Sequence, residues 1–555
     1  MTDQLRIALV QADPTVGDLA GNLALARAAR AEAAAAGAHL VVLTECFLSG
    51  YPQEDLVLKP AFVKACMKAA EALAADTADG GPDVVVGVPW AEKDKVFNAA
   101  LHLSDGGIEA RRFKHELPNY GVFDEPRVFA QGPLPGPIGV RGVRVGVMVC
   151  EDMWAPDVTE CLEETGAEIL VSINASPFEV MKHDRRLQQA IARVTESGLP
   201  LVYVNQLGGQ DELVFDGGSF VLNGDCSLAH QMPAWTDAIR ISDWRRSGDG
   251  WVCETGERPA VPEGNAAIYQ ACMRGLRDYV RKNRFPSVVL GLSGGIDSAL
   301  TAAIAADALG PEKVHAIMLP SRFTSGESLE DAQACAEALG VRYDTVSIAD
   351  GVTAAEAALA PLFGERPRDV TEENLQSRMR GLLLMGVSNK LGSMLLTTGN
   401  KSEVAVGYAT LYGDMCGGFN PLKDLYKTQV FALSEWRNQN RPEGALGPAG
   451  RVIPQRIIDK PPTAELRENQ KDEDSLPPYD VLDAILRGLV DEDRSVDEVA
   501  ARGFDRATVA RIEHLVYIAE YKRRQAAPGV KISPRNFGRD RRYPITNAFR
   551  DARQG

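Results

Sequence analysis

The stretch that decides the fold of the second half of the chain reads LGLSGGIDSALT and covers residues 290–301. An apolar run at 288–290 leads into its two glycines and an alanine-rich run follows, so the pattern predicts a strand, a tight turn and a helix. Backbone N–H groups at a helix N-terminus bind anions, and Gly294 and Gly295 would let a phosphate approach them closely. The stretch has neither the Gly-Lys-Ser/Thr of a Walker A loop nor the Gly-x-Gly-x-x-Gly of a dinucleotide fold. It therefore predicts a phosphate-binding loop of another kind.

The composition indicates a globular protein with more than one domain. At 555 residues the chain exceeds the size of a single core, so it should hold two or three domains. Its net charge of −16 argues against nucleic acid as a partner, since a nucleic-acid surface needs clustered Lys and Arg. Nine cysteines without a Cys-x-x-Cys pair suggest neither a zinc module nor a disulfide framework. Because there is no signal-peptide pattern and no apolar run approaches ~18 residues, we expect a cytoplasmic protein with no membrane partner.

Apolar and helical patterns divide the chain into two α/β halves. Over 1–245, short apolar runs alternate with helix-forming stretches, which predicts a layered domain whose sheet is covered by helices. Residues 246–264 contain proline, glycine and charged residues and are predicted to link the halves. From 265 to 555 the alternation predicts a doubly wound parallel sheet with ligands at the carboxyl ends of its strands. The predicted strands are 6–11, 40–43, 84–88, 143–149, 169–173 and 201–205, then 288–290, 315–319, 342–347 and 395–398.

A second polar cluster, TTGNKSE at 397–403, also follows an apolar strand. In an ATP site the Thr398 hydroxyl would bond the nucleotide, while Asp297 and Glu403 would supply the hard oxygen ligands that Mg²⁺ prefers. The loop at 291–298 resembles the pyrophosphate-binding loop of the ATP pyrophosphatases, which activate a substrate as its adenylate. That resemblance implies the α/β fold of this family, with ATP as co-substrate and Mg²⁺ as cofactor.

The other motifs of the second half resemble the NAD synthetases over residues 265–555. The matching stretches are NLQSR at 374–378, YGDMCGGFNPL at 412–422, DLYK at 424–427, PTAEL at 462–466 and YKRR at 521–524. The resemblance places ATP on Gly291, Leu292, Ser293, Gly294, Gly295, Ile296, Asp297, Ser298, Thr398, Lys427 and Thr463, and deamido-NAD near Asn374, Arg378, Glu403 and Lys522. Leu411 stands where ammonia-using relatives commonly have lysine, so that contact is not carried over. A solvated charge is the alternative for Arg378 and Lys522, and a helix N-cap for Thr463.

Three stretches of the first half carry reactive side chains. Glu45 follows an apolar strand, Lys114 lies within RFKHELPNY at 112–120, and Cys150 ends the strand of VMVCEDMW at 147–154. A cysteine nucleophile acts as a thiolate, so it needs a base that takes its proton and a cation that stabilises the oxyanion. The three residues are the types that this chemistry requires, although a strand-terminal cysteine alone is more often a buried apolar residue.

These residues occur in the order found in the nitrilase/amidase superfamily, which the first half resembles. The resemblance implies an αββα sandwich, with Cys150 as acyl-forming nucleophile, Glu45 as general base, Lys114 as oxyanion stabiliser and Glu125 as a further glutamate that orients the site. NYGVFDE at 119–125 and QDELVFDG at 210–217 resemble the glutaminase domain of glutamine-dependent NAD synthetases. From this we expect glutamine contacts at Tyr120, Ser176 and Lys182, although turn and surface roles fit Ser176 and Lys182 equally well.

The combination of the two halves in one chain indicates the function more specifically than either half alone. An amidase joined to an adenylating domain indicates ATP-dependent amidation of deamido-NAD to NAD, with ammonia released from glutamine and with AMP, pyrophosphate and glutamate as products. Ammonia is mostly protonated at neutral pH, so it would need a sheltered route, and we expect a homo-oligomer. Two alternatives remain: another glutamine amidotransferase with the same ATP loop, and a non-catalytic nucleotide-binding or scaffold protein.

Overall fold

The chain forms two compact units, Met1–Glu263 and Gly264–Gly555. The structure, a computed structural model, describes residues 3–248, 250–468, 470, 472–474 and 476–551. Across those residues, no helix combines the length and the apolar character that a bilayer crossing requires. All nine cysteines are free thiols.

The first unit consists of fifteen strands and four α-helices. The strands are β1 (Gln4–Gln11), β2 (Leu40–Val42), β3 (Asp83–Glu92), β4 (Lys95–Ser104), β5 (Gly107–Phe113), β6 (Ile138–Val140), β7 (Val143–Val149), β8 (Ile169–Asn174), β9 (Leu201–Asn205), β10 (Leu207–Gln210), β11 (Leu213–Asp216), β12 (Phe220–Leu222), β13 (Leu228–Gln231), β14 (Ala238–Ser247) and β15 (Gly250–Cys253). The helices are α1 (Leu19–Ala35), α2 (Pro60–Asp76), α3 (Asp157–Glu164) and α4 (Lys182–Ser197).

Two of its sheets pack face to face, one in the order β15-β14-β1-β2-β3-β4-β5 and the other in the order β13-β12-β9-β8-β7-β6. The side chains of a strand alternate between its two faces, so each strand serves two cores. Leu9 of β1 and Val171 of β8 share the core between the sheets. Val10 packs on the opposite face with residues of α1 and α2, and Leu170 packs with residues of α3 and α4. The predicted αββα sandwich is confirmed.

The first part of the segment predicted as a linker, residues 246–264, belongs to a β-hairpin instead. Trp244 of β14 pairs with Cys253 of β15, and Trp251 is buried in the core between the sheets. The adjacent Arg245 and Arg246 at the end of β14 make this stretch resemble a solvated loop in sequence, whereas Trp244 of the same strand is buried. Residues 246–247 and 250–253 therefore belong to the sheet of the first unit, and residues 254–263 carry no helix or strand.

The second unit has four parallel strands surrounded by helices. The strands are β16 (Val288–Gly291), β17 (Val314–Met318), β18 (Arg342–Thr345) and β19 (Met394–Leu396). The helices are α5 (Gly264–Lys282), α6 (Ile296–Leu309), α7 (Gly326–Leu339), α8 (Ala349–Phe363), α9 (Val370–Leu391), α10 (Lys401–Val406), α11 (Lys427–Gln439), α12 (Gln455–Asp459), α13 (Tyr479–Leu486), α14 (Val496–Ala500), α15 (Arg506–Ile518) and α16 (Glu520–Arg523).

The strand order β18-β17-β16-β19 fixes where a ligand fits. The chain builds outward from β16 through β17 to β18, and then crosses to the other side of β16 to form β19. In an open α/β sheet such a reversal leaves a crevice at the carboxyl ends of the two strands that flank it. The loops after β16 and β19 meet there, and these loops hold the two polar clusters of the sequence. The predicted doubly wound parallel sheet is confirmed.

Candidate active sites

Cys150 lies at a sharp turn at the end of a central strand of the first unit. Strand β7 ends at Val149, and Cys150 opens the 3₁₀ helix Cys150–Met153 with a φ of 49°. A non-glycine residue in the left-handed region is strained, and such residues concentrate at functional sites. The residue is only 7% exposed. The fold thus holds the thiol in a narrow, largely dry position at the carboxyl end of the sheet.

Lys114 bridges two buried carboxylates beside this thiol. Its Nζ lies 2.8 Å from Oε1 of Glu45 and 2.9 Å from Oε1 of Glu125, and all three side chains are almost fully buried. Burial would lower the pKa of Lys114, but the two carboxylates hold that pKa well above its ordinary value. Burial raises the pKa of Glu125 to about 7, although Lys114 opposes the shift. The structure therefore brings together Glu45, Lys114 and Glu125, which lie in three separate stretches of sequence.

The thiol of Cys150 is neutral at neutral pH in this setting. Burial raises its pKa well above the ordinary value, the charge of Glu45 adds to the rise, and Lys114 opposes it. A nucleophile in this state has to lose its proton to a nearby base as it attacks. The second oxygen of Glu45, Oε2, is fixed at 2.9 Å by the backbone N–H of Ala175. Glu45 is thus a rigidly placed carboxylate near the thiol, and a carboxylate is a group that can act as such a base.

The three residues predicted to bind glutamine differ in their surroundings. Tyr120 is about half exposed and donates a hydrogen bond of 2.9 Å to Glu151. Lys182 opens helix α4, with its ammonium group 4.6 Å from the ring centre of Trp154, and burial lowers its pKa. Ser176 is 4% exposed. Cys150 contributes electrostatically to the pKa of both Tyr120 and Lys182, so these two side chains lie near the thiol. Neither Ser176 nor Lys182 is a freely solvated surface group.

Buried residues that the sequence analysis did not single out hold Glu45 and Glu125 in place. Asn98 of β4 donates to Glu45 Oε1 at 2.8 Å, and the Tyr51 hydroxyl donates to Glu125 Oε1 at 2.9 Å. Asn98 lies in an apolar strand and Tyr51 in a loop, and both are far from their partners along the chain. Only the folded arrangement of the strands reveals these roles.

Two more buried charges organise the backbone around the site. Asp152 accepts the N–H groups of His115, Glu116 and Val149 at 2.8–2.9 Å, so it ties the loop after Lys114 to the strand before Cys150. Its position two residues after the nucleophile, in CEDMW, is a signal that sequence reasoning could have used. Arg186 plays a similar part for Ser176: it donates to the Ser176 hydroxyl at 3.1 Å and to the Asp216 carboxylate at 2.8 Å.

In the second unit the phosphate loop has the predicted strand-turn-helix form. Ser298 Oγ accepts from the Ser293 N–H at 3.2 Å and donates to the Gly295 carbonyl at 2.9 Å, which closes the turn. Gly294 has a φ of 78°, and a Cβ there would lie 2.4 Å from the Ser328 carbonyl oxygen. No residue with a side chain fits this position, because helix α7 packs directly on the turn. Gly294 thus meets both the conformational and the steric demand of the turn.

The loop lines a cavity of about 310 Å³ at the carboxyl ends of β16 and β19. This volume is in the range of small-molecule sites. The predicted ATP residues Gly291, Leu292, Ser293, Gly294, Gly295, Ile296, Asp297, Ser298, Thr398, Lys427 and Thr463 all line it, together with Glu403. No helix begins at Thr463 within the described residues; its hydroxyl donates to the Gln470 carbonyl at 2.6 Å and accepts from the Glu465 N–H at 3.3 Å. The N-cap alternative for Thr463 is therefore excluded.

Two carboxylates and one ammonium group meet at the floor of the cavity. Lys427, the first residue of α11, contacts Asp297 Oδ2 and lies 3.3 Å from Glu403 Oε1. Asn400 donates to Asp297 Oδ1 at 2.9 Å. Burial raises the pKa of Glu403 to about 8, and the nearby charge of Asp297 adds to the rise while Lys427 opposes it. Asp297 and Glu403 therefore converge on one point, which the Lys427 ammonium group occupies.

The other residues predicted to bind the dinucleotide surround a different segment, residues 407–411. The Asn374 side-chain oxygen accepts from the Thr410 hydroxyl at 2.9 Å, and Arg378 Nε donates to the Leu411 carbonyl at 3.2 Å. Lys522 Nζ donates to the carbonyls of Gly407 and Ala409 at 2.8 and 2.6 Å. Among the described residues that line the cavity, Asn374, Arg378 and Lys522 do not occur. The structure brings these three together, but around residues 407–411 and apart from the phosphate loop.

Comparison with known proteins identifies relatives for both halves. A carbon-nitrogen hydrolase family model matches residues 6–248, and an NAD synthase family model matches residues 268–526. The glutamine-dependent NAD(+) synthetase of Rhodobacter capsulatus is 55% identical and covers 99% of this chain and 100% of its own length. That of Xanthomonas campestris pv. campestris is 48% identical, covering 98% of each chain. A solved glutamine-dependent NAD+ synthetase of Acinetobacter baumannii, in complex with ADP, is 41% identical over 99% of both chains, with a TM-score of 0.78.

Proposed function

Because this chain belongs to the glutamine-dependent NAD(+) synthetases, we propose that its two units divide one reaction between them. The enzyme amidates deamido-NAD to NAD at the expense of ATP, with ammonia taken from glutamine. We assign glutamine hydrolysis to residues 1–245 and the ATP-dependent step to residues 265–555. The observation that carries this assignment is the presence, in one chain, of a buried Glu45–Lys114–Cys150 arrangement and a Ser-Gly-Gly-x-Asp-Ser phosphate loop.

In the glutaminase half, Glu45 takes the proton of the Cys150 thiol as the sulfur attacks the carboxamide carbon of glutamine. The carbonyl oxygen becomes an oxyanion, which the Lys114 ammonium stabilises. Collapse of the tetrahedral intermediate breaks the C–N bond, Glu45 returns the proton to the nitrogen, and ammonia leaves. Water then hydrolyses the thioester, with Glu45 again as base, to give glutamate and the free thiol. Tyr120, Ser176 and Lys182 orient the glutamine.

In the synthetase half, the loop at 291–298 binds the phosphates of ATP through its backbone N–H groups and its serine hydroxyls. An oxygen of the deamido-NAD carboxylate attacks the α-phosphorus, and pyrophosphate leaves. Ammonia then attacks the carbonyl carbon of the adenylate, and AMP leaves as NAD forms. The bound ADP of the Acinetobacter baumannii relative supports adenine nucleotide binding by this fold. Asn374, Arg378, Glu403 and Lys522 are our proposed contacts for deamido-NAD.

Asp297 and Glu403 fit a magnesium ion. Within the described residues no group of three or more His, Cys, Asp or Glu is placed to hold a metal. Two convergent carboxylates nevertheless suit Mg²⁺, which takes one or two carboxylates and completes its ligands with phosphate oxygens and water. When bound, the ion would neutralise phosphate charge. Their convergence on the Lys427 ammonium indicates that the two side chains already favour a cation at this point.

The predicted homo-oligomer has a candidate interface on helices α8 and α9. Leu362, Val370 and Leu382 are 73%, 62% and 64% exposed, and α8, which the structure describes throughout, buries none of its residues. A second copy of the chain would cover this apolar surface. Light scattering should then give a multiple of 59.9 kDa. A mass of one chain at micromolar concentration would contradict the proposal.

We further propose that the enzyme works in the cytoplasm, which supplies ATP and glutamine.

A direct test of the function is incubation with glutamine, ATP, Mg²⁺ and deamido-NAD, followed by mass detection of NAD and AMP. We expect both products in equal amounts. Another amidotransferase with the same loop would form AMP only with a different acceptor, and a scaffold protein would form neither product.

Replacing Lys114 with methionine should lower glutaminase turnover by on the order of 10²- to 10³-fold, because one oxyanion-stabilising group is lost. Since Lys114 lowers the pKa of Cys150, alkylation of the thiol by iodoacetamide should also shift to higher pH. Synthesis from free ammonia should persist and serves as the check on folding. Lys95→Met, at an exposed lysine of β4, is the matched control. Near-normal glutaminase turnover in the Lys114 variant would remove Lys114 from the mechanism.

A further inference from the structure

Glu465 holds an unusual position beside the phosphate loop. One of its oxygens, Oε1, lies 2.9 Å from the Ser325 hydroxyl, 2.7 Å from the Ser328 hydroxyl and 3.2 Å from Lys460 Nζ. Lys460 Nζ also donates to the Ser328 hydroxyl at 2.5 Å. The backbone of Glu465 has a φ of 48°, a left-handed conformation that costs energy for a residue with a side chain. Three donors therefore converge on a single carboxylate oxygen that a strained backbone supplies.

These donors belong to an element that touches the phosphate loop. Ser325 is the N-cap of α7, and Ser328 lies in the first turn of that helix. The Ser328 carbonyl is the group that leaves no room for a Cβ at Gly294. Ser328, Lys460 and Glu465 all line the cavity that holds the loop at 291–298. Two of the three donors thus line the cavity predicted to hold the ATP phosphates, and the third, Ser325, lies 3.0 Å from the Ser328 hydroxyl.

Two hydroxyls and an ammonium group at a helix N-terminus are a donor set suited to phosphate oxygens. A carboxylate has the same charge sign and similar oxygen spacing, so it can occupy such a set. The other lysine of the cavity, Lys427, already contacts Asp297 and Glu403. Within the part of the chain that the structure describes, Lys460 instead has one carboxylate partner, Glu465, on a segment without helix or strand. Its charge becomes available to a phosphate when that single partner moves.

We propose that Ser325, Ser328 and Lys460 form a subsite for the pyrophosphate end of ATP, and that Glu465 occupies this subsite until phosphate displaces it. The proposal rests on the proposed function, since it concerns the leaving group of the adenylation step. It assigns to Lys460 the charge that receives the β- and γ-phosphates. It assigns to Glu465 the role of an internal competitor of phosphate. This competition would favour release of pyrophosphate after the bond to the α-phosphorus has broken.

The two roles predict opposite effects on the binding of inorganic pyrophosphate, measured by calorimetry on the full chain without other substrates. Lys460→Met should raise the Kd by about tenfold or more, because a charge-assisted contact is lost. Glu465→Gln should lower the Kd by about threefold, because a partly exposed competing charge is removed. Inhibition of ammonia-dependent NAD synthesis by pyrophosphate should change in the same directions. Lys313→Met, at an exposed lysine near the start of β17, should change neither.

An unchanged Kd for pyrophosphate in both variants, or a higher Kd in Glu465→Gln, would overturn the proposal. A folding defect in Lys460→Met cannot imitate the expected pattern, because tighter binding in Glu465→Gln requires an intact site. Failure of the proposed function would look different. The wild-type chain would then make no NAD from ammonia, ATP and deamido-NAD, whereas the calorimetric comparison needs no turnover.

Discussion

Replacing Cys150 with alanine should abolish NAD formation from glutamine and leave NAD formation from ammonia almost unchanged. Removal of a nucleophile in this kind of catalysis costs several orders of magnitude, so we expect a loss of at least about 10³-fold with glutamine. Ammonia supplied in solution bypasses the thioester step, so the synthesis that follows does not require the thiol. Initial rates of NAD formation with each nitrogen source, measured on the same preparation, give the comparison.

Cys161→Ala is the matched control, because Cys161 is a partly exposed free thiol in helix α3 and does not lie at the end of a strand. It should retain both activities. Equal loss of the glutamine and ammonia activities in a folded Cys150→Ala protein would show that the thiol is not confined to ammonia release.

Replacing Asp297 with alanine should have the complementary effect and lower synthesis from both nitrogen sources. The variant loses a proposed Mg²⁺ ligand, and among the described residues it leaves Glu403 as the remaining ion-pair partner of the buried Lys427 ammonium. A metal ion contributes several kcal/mol of charge stabilisation, so a loss of at least about 10²-fold in synthesis is expected. NAD formation should be measured across a range of Mg²⁺ concentrations with ammonia and, separately, with glutamine.

Glutamine hydrolysis by the Asp297 variant should persist, and this activity shows that the chain has folded. Glu312→Ala, which removes an exposed carboxylate after the same helix, should behave like wild type. Full ammonia-dependent synthesis by Asp297→Ala would rule out the metal assignment.

The structural features that the sequence predicted are those that depend on residues close together in the chain. Two glycines between an apolar strand and an alanine-rich helix specify the phosphate loop, because only a residue without a side chain fits beside Ser328. Period-two alternation in the strands of the first half specifies sheets with two buried faces, as Leu9 and Val10 illustrate. The residue types of Glu45, Lys114 and Cys150 follow from the chemistry that a thiol requires.

The parts that the sequence did not predict depend on contacts between distant segments. Asn98 and Tyr51 reach their carboxylate partners only after strands and loops more than fifty residues apart have come together. Glu465 is an ordinary polar residue in sequence, and its meaning comes from the three donors that converge on it. The hairpin of β14 and β15 was missed because its charged outer face resembles a linker, whereas Trp251 packs in the core. Burial of one face cannot be read from charge on the other.

We propose that one chain passes nitrogen from glutamine to NAD. The measurement that tests this most directly is the mass of NAD formed from glutamine labelled with ¹⁵N in its side-chain amide. The reaction should contain wild-type enzyme, ATP, Mg²⁺ and deamido-NAD, with no added ammonia. We expect NAD that carries one ¹⁵N in its carboxamide, with one AMP and one glutamate formed for each NAD. Release of labelled ammonia and glutamate without labelled NAD, or formation of NAD that lacks the label, would contradict it.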